Sequence, residues 1–409
     1  MNRATGVGAA CLGALLGAWA AAAAPTPGVC RAVAPGGDLT RRLAEAAPGA
    51  AICLAPGVWR GPLRVGAGVT LSGEGAALVG VTIEGSGARF DRLDAAVFVT
   101  ADRARVEGVR IHGGLFGVRA ERAQGLLIRA NEISGDASRP FGLRGDGIRL
   151  WEVKGSRIAD NHLSHGRDLV AWYAPGNHFE RNRVEHGRYG LHFMYSHDNQ
   201  VEDNRFADDV VGVFVMYSRR VVLERNQLLR SGGAAGIGLG LKDAGDLRVR
   251  DNAFVANTTG LFIDTSAGDP AEHNRFEGNE FRFHDRAILF HGPTDRNEFA
   301  ANRFRDNRVD VEVDGRSDAL AASFRGNEWD GYVGYDLDGD GVGDVPHQPK
   351  SLAQEWIARI PALAFFRGSA ALGAVEWLGR ALPLFAVTPL LVDPAPRLRL
   401  GAPGATRAD

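Results

Sequence analysis

The sequence predicts an all-β fold, a right-handed parallel β-helix whose coils run about 21–27 residues, and two registers predict it. The first is an Asn standing two residues ahead of an apolar residue, at Asn161, Asn182, Asn204, Asn226, Asn252, Asn279, Asn302 and Asn327. Subtraction gives spacings of 21, 22, 22, 26, 27, 23 and 25. A drifting period of this kind, with short strands and Gly or Asn turns, marks a solenoid, and no Leu/Ala-rich helical periodicity offers helices in its place. The second register is a strand that begins 14 residues before its Asn, at Gly147, Asp168, Gly190, Gly212 and Gly238. Equal register in stacked coils makes the sheets parallel, and parallel crossovers are overwhelmingly right-handed. The repeating Asn is expected to sit inward at a turn, bonded to the coils above and below.

Four regions follow from composition: a secretory signal at 1–24, an N-terminal cap at 25–60, the β-helix at 61–350 and a C-terminal docking segment at 351–409. Arg3, the apolar run near Val7–Ala20 and the small residues after it have the pattern of a cleaved leader. Neither Cys11 nor Cys30 is preceded by a sufficient apolar stretch for a lipid anchor. Export to an oxidising compartment then favours a Cys30–Cys53 disulfide, with two buried free thiols as the alternative. With 409 residues, 45% hydrophobic and 23% charged, the mature chain can bury a large core. Its formal charge of -2 and interspersed signs give no basic face, which sets nucleic acid aside as a partner.

Side chains alternate along a strand, so the first and third residues after each start share the core face. These are Ile148 and Leu150, Leu169 and Ala171, Leu191 and Phe193, Val213 and Val215, and Leu239 and Leu241. The second and fourth face outward: Arg149 and Trp151, Val170 and Trp172, His192 and Met194, Phe214 and Met216, and Gly240 and Lys242. The chain has 3 methionines including the initiator, and the other two fall at matching places in consecutive coils. Adjacent strands lie ~4.7–4.9 Å apart, so Met194 and Met216 are expected one above the other. Thioether sulfur selects soft cations, above all Cu(I), and imidazole also suits copper. Met194, Met216 and His192 are therefore the candidate Cu(I) ligands, with Trp172 placed to shield the cation. A packing role competes with this one, in which an exposed aromatic and Met column seats a C-terminal segment or a partner. His165, His186 and His197 lie at turns near the same face as further candidates.

In "DLDGDGVGD" the carboxylates Asp336, Asp338, Asp340 and Asp344 alternate around glycines, a spacing that can wrap oxygen ligands around Ca²⁺. The twelfth position from Asp336 is His347 rather than Glu, so this is no EF-hand. The segment from Ser351 is apolar and helix-prone but interrupted by Arg359, Arg367, Glu376 and Arg380, too often for a membrane span.

"RYGLHFMYSHDNQVEDN", the following "MYSRR", "GIGLGLKDAGDLRVRDN" and "YDLDGDGVGDVPH" together resemble the NosD family. The resemblance covers nearly the whole mature chain, and its "HFMYS" coil is the most specific part. It implies a periplasmic, non-enzymatic accessory protein for denitrification that works with a membrane ABC transporter permease and a copper-donor lipoprotein. Their joint product would be the copper-sulfide centre of nitrous oxide reductase. The alternative is a polysaccharide lyase or epimerase, since exported β-helices often act on acidic sugars. Asp168, Lys242, Asp243 and Asp264 are its candidates, but they form no acid/base pair at strand spacing.

Overall fold

The computed structural model describes residues 30, 32–73, 81–85, 94–233, 235–314, 318–366, 368–381 and 388–398; the expected leader and Cys11 lie outside them. The chain is a parallel β-solenoid of three sheets with 13, 11 and 12 strands, each strand bonded to its equivalent in the next coil. A coil holds three short strands where the sequence displayed two registers. The strand Arg157–Ala159 precedes Asn161 and His162–Ser164 follows it. Each of these directs one large apolar residue inward, Ile158 and Leu163, which is too little alternation to read as a separate strand. Strands extend from Ala32–Val33 and Ala51–Leu54 to Glu328–Trp329. The coils therefore begin inside the 25–60 region and end before residue 350. Helix α1, Leu39–Glu45, starts on Asp38, whose carboxylate accepts from Arg41 N at 3.0 Å, and buries Leu39 and Leu43. Cys30 and Cys53 are both disulfide-bonded.

The central sheet contains β1 (Ile148–Trp151), β2 (Asp168–Trp172), β3 (Tyr189–Met194), β4 (Val211–Met216), β5 (Ile237–Lys242) and β6 (Thr259–Asp264) in consecutive coils. Their inward residues, from Ile148 through Leu241, are all buried. Further along, aromatic rings stack from coil to coil, as in Phe254 on Phe281 at 4.7 Å and Phe304 on Trp329 at 4.3 Å. Full burial of one such apolar side chain is worth roughly 1.5–3 kcal/mol, and the solenoid repeats the gain on every rung.

The asparagine ladder solves the corner's backbone bonding. Asn204 Oδ1 accepts from Asn182 N at 2.9 Å, while Asn204 Nδ2 donates to Phe179 O at 2.8 Å, and each rung repeats the arrangement. The residue before the Asn is left-handed, with φ of 56°, 49°, 56° and 54° at Asp160, Arg181, Asp203 and Arg225. That conformation costs roughly 1–2 kcal/mol at a non-Gly residue, and the ladder's bonds offset it. Asn131 starts the ladder and Asp393 ends it. Asn327 N and Nδ2 donate to Asp393 Oδ2 at 3.0 and 2.9 Å, as does Trp329 Nε1 at 3.1 Å.

Residues 388–398 thus return to the last coil as its cap, which changes the picture of 351–409 as one docking segment. Only α2 (Leu352–Arg359), a short 3₁₀ turn and α3 (Ala370–Ala381) project from it. Glu376 of α3 joins the two helices by accepting from Ser351 Oγ and Ala353 N at 2.9 and 3.2 Å, at the N-terminus of α2.

A second inward ladder contains Asp209, Ser231, Asn257, His284 and Asn307. His284 Nδ1 accepts from Asn257 N at 3.1 Å and its Nε2 lies 3.1 Å from Phe254 O, which assigns the neutral Nε2–H tautomer. Burial lowers its pKa from 6.5 to about 4. As pH falls the unfolded chain takes up this proton first, so the stability His284 supports is present above 6.5 and is lost toward about 4. Denaturant unfolding of wild type and His284→Asn at pH 7 and pH 5 checks this. The wild type is expected to lose about 2 kcal/mol more than the variant on acidification, because Asn supplies the acceptor without a titrating group; equal losses would contradict it.

Candidate functional site

Strand register places the outward side chains. Trp151 pairs with Trp172, Trp172 with Met194, Met194 with Met216 and Met216 with Lys242, so the four coils contribute one row. A parallel row runs Arg149, Val170, His192, Phe214 and Gly240. His192 Nε2 lies 3.3 Å from Met216 Sδ. As Nε2–H it donates to the sulfur; deprotonated, nitrogen and sulfur present lone pairs to one place. A single cation bonded at roughly 2.0 Å to nitrogen and 2.3 Å to sulfur holds those atoms about 3.3–3.5 Å apart. The spacing therefore fits a shared ion.

The face is less open than the alternation implies. Met194 and Met216 are half-buried, but His192 is only 6% exposed and Val170 is fully covered. Tyr189 explains much of this: its ring sits 4.8 Å from the imidazole, with Trp172 edge-on at 5.7 Å and Phe214 at 6.5 Å. Phe214 in turn lies across Gly240, where an added Cβ would come within 2.5 Å of its ring, so this strand position excludes any side chain. Burial pushes the His192 imidazole down to about 4; Asp168 opposes the shift, and Arg188 and Arg167 add to it. His192 is thus neutral at ordinary pH, which is the ligating form. Its Nδ1 and the Nε1 of Trp172 are buried without a hydrogen-bond partner. Such orphans are rare in a solenoid whose other inward polar groups are bonded.

Trp172 takes a different position from the expected shield. Its face carries the Arg149 guanidinium at 4.7 Å, so a cation is already stacked there. Arg149 is held by Asp146 at 3.2 Å, and Asp146 also binds Arg167 at 2.9 Å. Burial raises the pKa of Asp146 and the Arg167 charge counters it. Asp168 accepts from Arg188 Nε at 3.0 Å and from Tyr189 N at 3.2 Å, which fixes the tyrosine that covers His192.

The remaining histidines do not reach this cluster. His197 Nδ1 accepts from Arg219 N at 3.1 Å, and His165 and His186 stack on each other at another corner. A tyrosine ladder escaped the sequence reading. Tyr173, Tyr195 and Tyr217 each follow a row residue directly and stack at 5.2 and 4.9 Å, with interplanar angles of 8° and 13°. The repeated "WY", "MYS" and "MYS" is the signal that could have found it. Stacked face to face, these rings present edges to solvent and offer no flat platform to a sugar.

Of the enzyme candidates, Asp168 is buried in its arginine pairs and Lys242 is bonded to Asp264 at 2.9 Å. In the acidic loop, ligand atoms of Asp336, Asp338 and Asp340 lie within 4.8 Å of one another. Loop amides already approach them: Asp336 accepts from Gly339 N and Gly341 N at 2.7 and 2.9 Å, and Asp344 from Leu337 N at 2.7 Å.

A family profile described as "Periplasmic copper-binding protein (NosD)" matches residues 130–334, the coils that carry this site. A Pseudomonas aeruginosa protein named "Probable ABC transporter binding protein NosD" is 31% identical over 382 residues, covering 83% of this chain and 84% of its own. A Stutzerimonas stutzeri protein of the same name is 29% identical over 368 residues, covering 82% and 79%. Among solved structures, an exopolygalacturonase from Thermotoga maritima superposes with TM-score 0.52 over 71% of this chain and 85% of that one. At 11% identity it shares the solenoid and nothing more. By sequence similarity along most of its length, the chain belongs to the NosD family of periplasmic copper-binding proteins.

Proposed function

We propose that this protein receives and hands on Cu(I) in the periplasm during assembly of the copper-sulfide centre of nitrous oxide reductase, acting with an ABC transporter and a copper-donor lipoprotein. One observation supports it above the rest: His192 Nε2 and Met216 Sδ stand 3.3 Å apart, with Met194 in register beside Met216. Two thioethers and a neutral imidazole make a soft, uncharged set suited to Cu(I) as cargo. Half-buried sulfurs leave an approach for a donor or an acceptor, and the arginines around Asp146 and Asp168 keep the imidazole neutral rather than adding anionic ligands that would hold the ion tightly.

Leucine keeps the volume of methionine and removes the sulfur. Met194→Leu with Met216→Leu is expected to fold normally, since the core lies on the other face, and to lose Cu(I) affinity by more than the roughly 10–100-fold that an outer-shell partner is worth. Competitive Cu(I) titration with thermal unfolding as control checks this. Equal affinity in two equally folded proteins would return the column to a packing role.

The transporter's docking surface is proposed to be the helical projection. Trp356, Ile360, Phe365, Phe366, Trp377 and Leu378 are exposed there, an apolar patch of the sort that marks a protein interface. Leu390 N donates to Pro349 O at 2.9 Å, so the chain entering and leaving the helices is adjacent. Replacing residues 352–387 by a short Gly/Ser linker therefore keeps the Asp393 cap. The shortened protein is expected to remain folded and to fail to copurify with the transporter; copurification at the full-length level would move docking to the coils.

Ca²⁺ at the Asp336–Asp344 loop belongs to the same proposal as a brace for the last coil. Calcium is expected to raise the unfolding temperature and EGTA to reverse the rise; an unchanged transition would remove the ion from the account.

A further inference from the structure

We propose that His165 and His186 form a second metal site, for a borderline divalent cation such as Cu²⁺ or Zn²⁺, independent of the soft site. The two residues occupy the same corner in consecutive coils. His165 N donates to Glu185 O and His186 N to Ala207 O at 3.1 and 3.3 Å, and the same bond recurs at Gly135 before them and Asp208 after them. Both are left-handed, with φ of 57° and 60°, so the backbone launches the two side chains in one direction. The result is a stacked pair of rings with centroids 4.9 Å apart and planes inclined by 28°.

That separation is the one a shared cation requires. Two imidazoles bonded at about 2.0–2.1 Å to one ion, at an angle near 100°, have ring centroids about 5 Å apart. Among the described residues neither ring has a hydrogen-bond partner, whereas His162, His192, His197, His284 and His291 each contact a named group. His186 is exposed, and the rung before His165 carries Gly135, whose missing side chain leaves the outer face of the stack open. The rung after carries Asp208, tied to Arg230 at 2.7 Å, which places a carboxylate beside the pair without supplying a free ligand. Arg144 is the opposing charge; its guanidinium is turned to the carbonyls of Arg139, Ala137 and His186 at 2.6, 2.9 and 3.4 Å. Imidazole without thioether favours divalent Cu²⁺ and Zn²⁺ over Cu(I), so the two sites sort copper by oxidation state.

The test uses the full mature chain carrying Met194→Leu and Met216→Leu, so that the soft site contributes nothing. This protein is titrated with Cu²⁺ and with Zn²⁺, and its Cu²⁺ form is examined by electron paramagnetic resonance. Asn tolerates left-handed backbone, so His165→Asn with His186→Asn is the comparison, with thermal unfolding as the folding control. One equivalent of divalent metal with nitrogen hyperfine coupling is expected, and its loss in the Asn variant. Unchanged stoichiometry in the variant, or a Cu²⁺ signal without nitrogen coupling, would overturn the site. Should the double variant unfold, His186→Asn alone, at the exposed position, is expected to abolish the equivalent; its retention there would overturn the site equally.

Discussion

Parallel in-register stacking governs this molecule. Each coil lies roughly 4.8 Å from the next, and whatever side chain occupies a position is repeated, or answered, one rung away. A polar amide at a buried corner is tolerable only because its neighbours above and below complete its bonding, which is why the ladder of asparagines runs unbroken from Asn131 to Asn327 and needs Asp393 to close it. Opposite charges obey the same rule on the outside, where Arg181 grips Asp160 at 2.7 and 3.0 Å and Arg225 grips Asp203 at 2.9 and 3.2 Å. Exposed pairs of this kind are individually weak. Repeated along a corner they discourage a slip of register, because every shifted rung would meet like charge.

The same spacing creates chemistry. Two ligands one rung apart are already near the separation that a single ion demands, so a solenoid builds a metal site by repeating or alternating suitable residues rather than by bending a loop. Met194 and Met216 satisfy this through register, and His192 joins through its ring rather than through the backbone. What distinguishes this chain from the polysaccharide-active protein that shares its coil is the outer row alone. There, methionine, tryptophan and a neutral imidazole stand where acid/base carboxylates would be required.

Sequence was most informative where the repeat itself is the message. Spacing of Asn161 to Asn327 specified the coils, and inward residues such as Leu191 and Val213 followed from alternation. The third strand was hidden because three residues with one apolar member carry no period. The near burial of His192 was hidden because it depends on Tyr189, whose ring folds over a neighbour on its own strand. Asp393 lies 66 residues beyond Asn327 in an apolar tail and belongs to no repeat, so nothing local marks it as the final rung. Trp172 was placed correctly by register, yet the occupant of its face, Arg149, is set by side-chain reach.

The central claim is that Met194, Met216 and His192 converge on one Cu(I) ion. X-ray absorption at the copper edge, on the mature protein loaded with one equivalent of Cu(I), tests it most directly. The account predicts a first shell containing sulfur at about 2.3 Å together with a nitrogen near 2.0 Å, with the sulfur contribution lost in the methionine double variant. A shell of nitrogen and oxygen alone in the wild-type protein would contradict it.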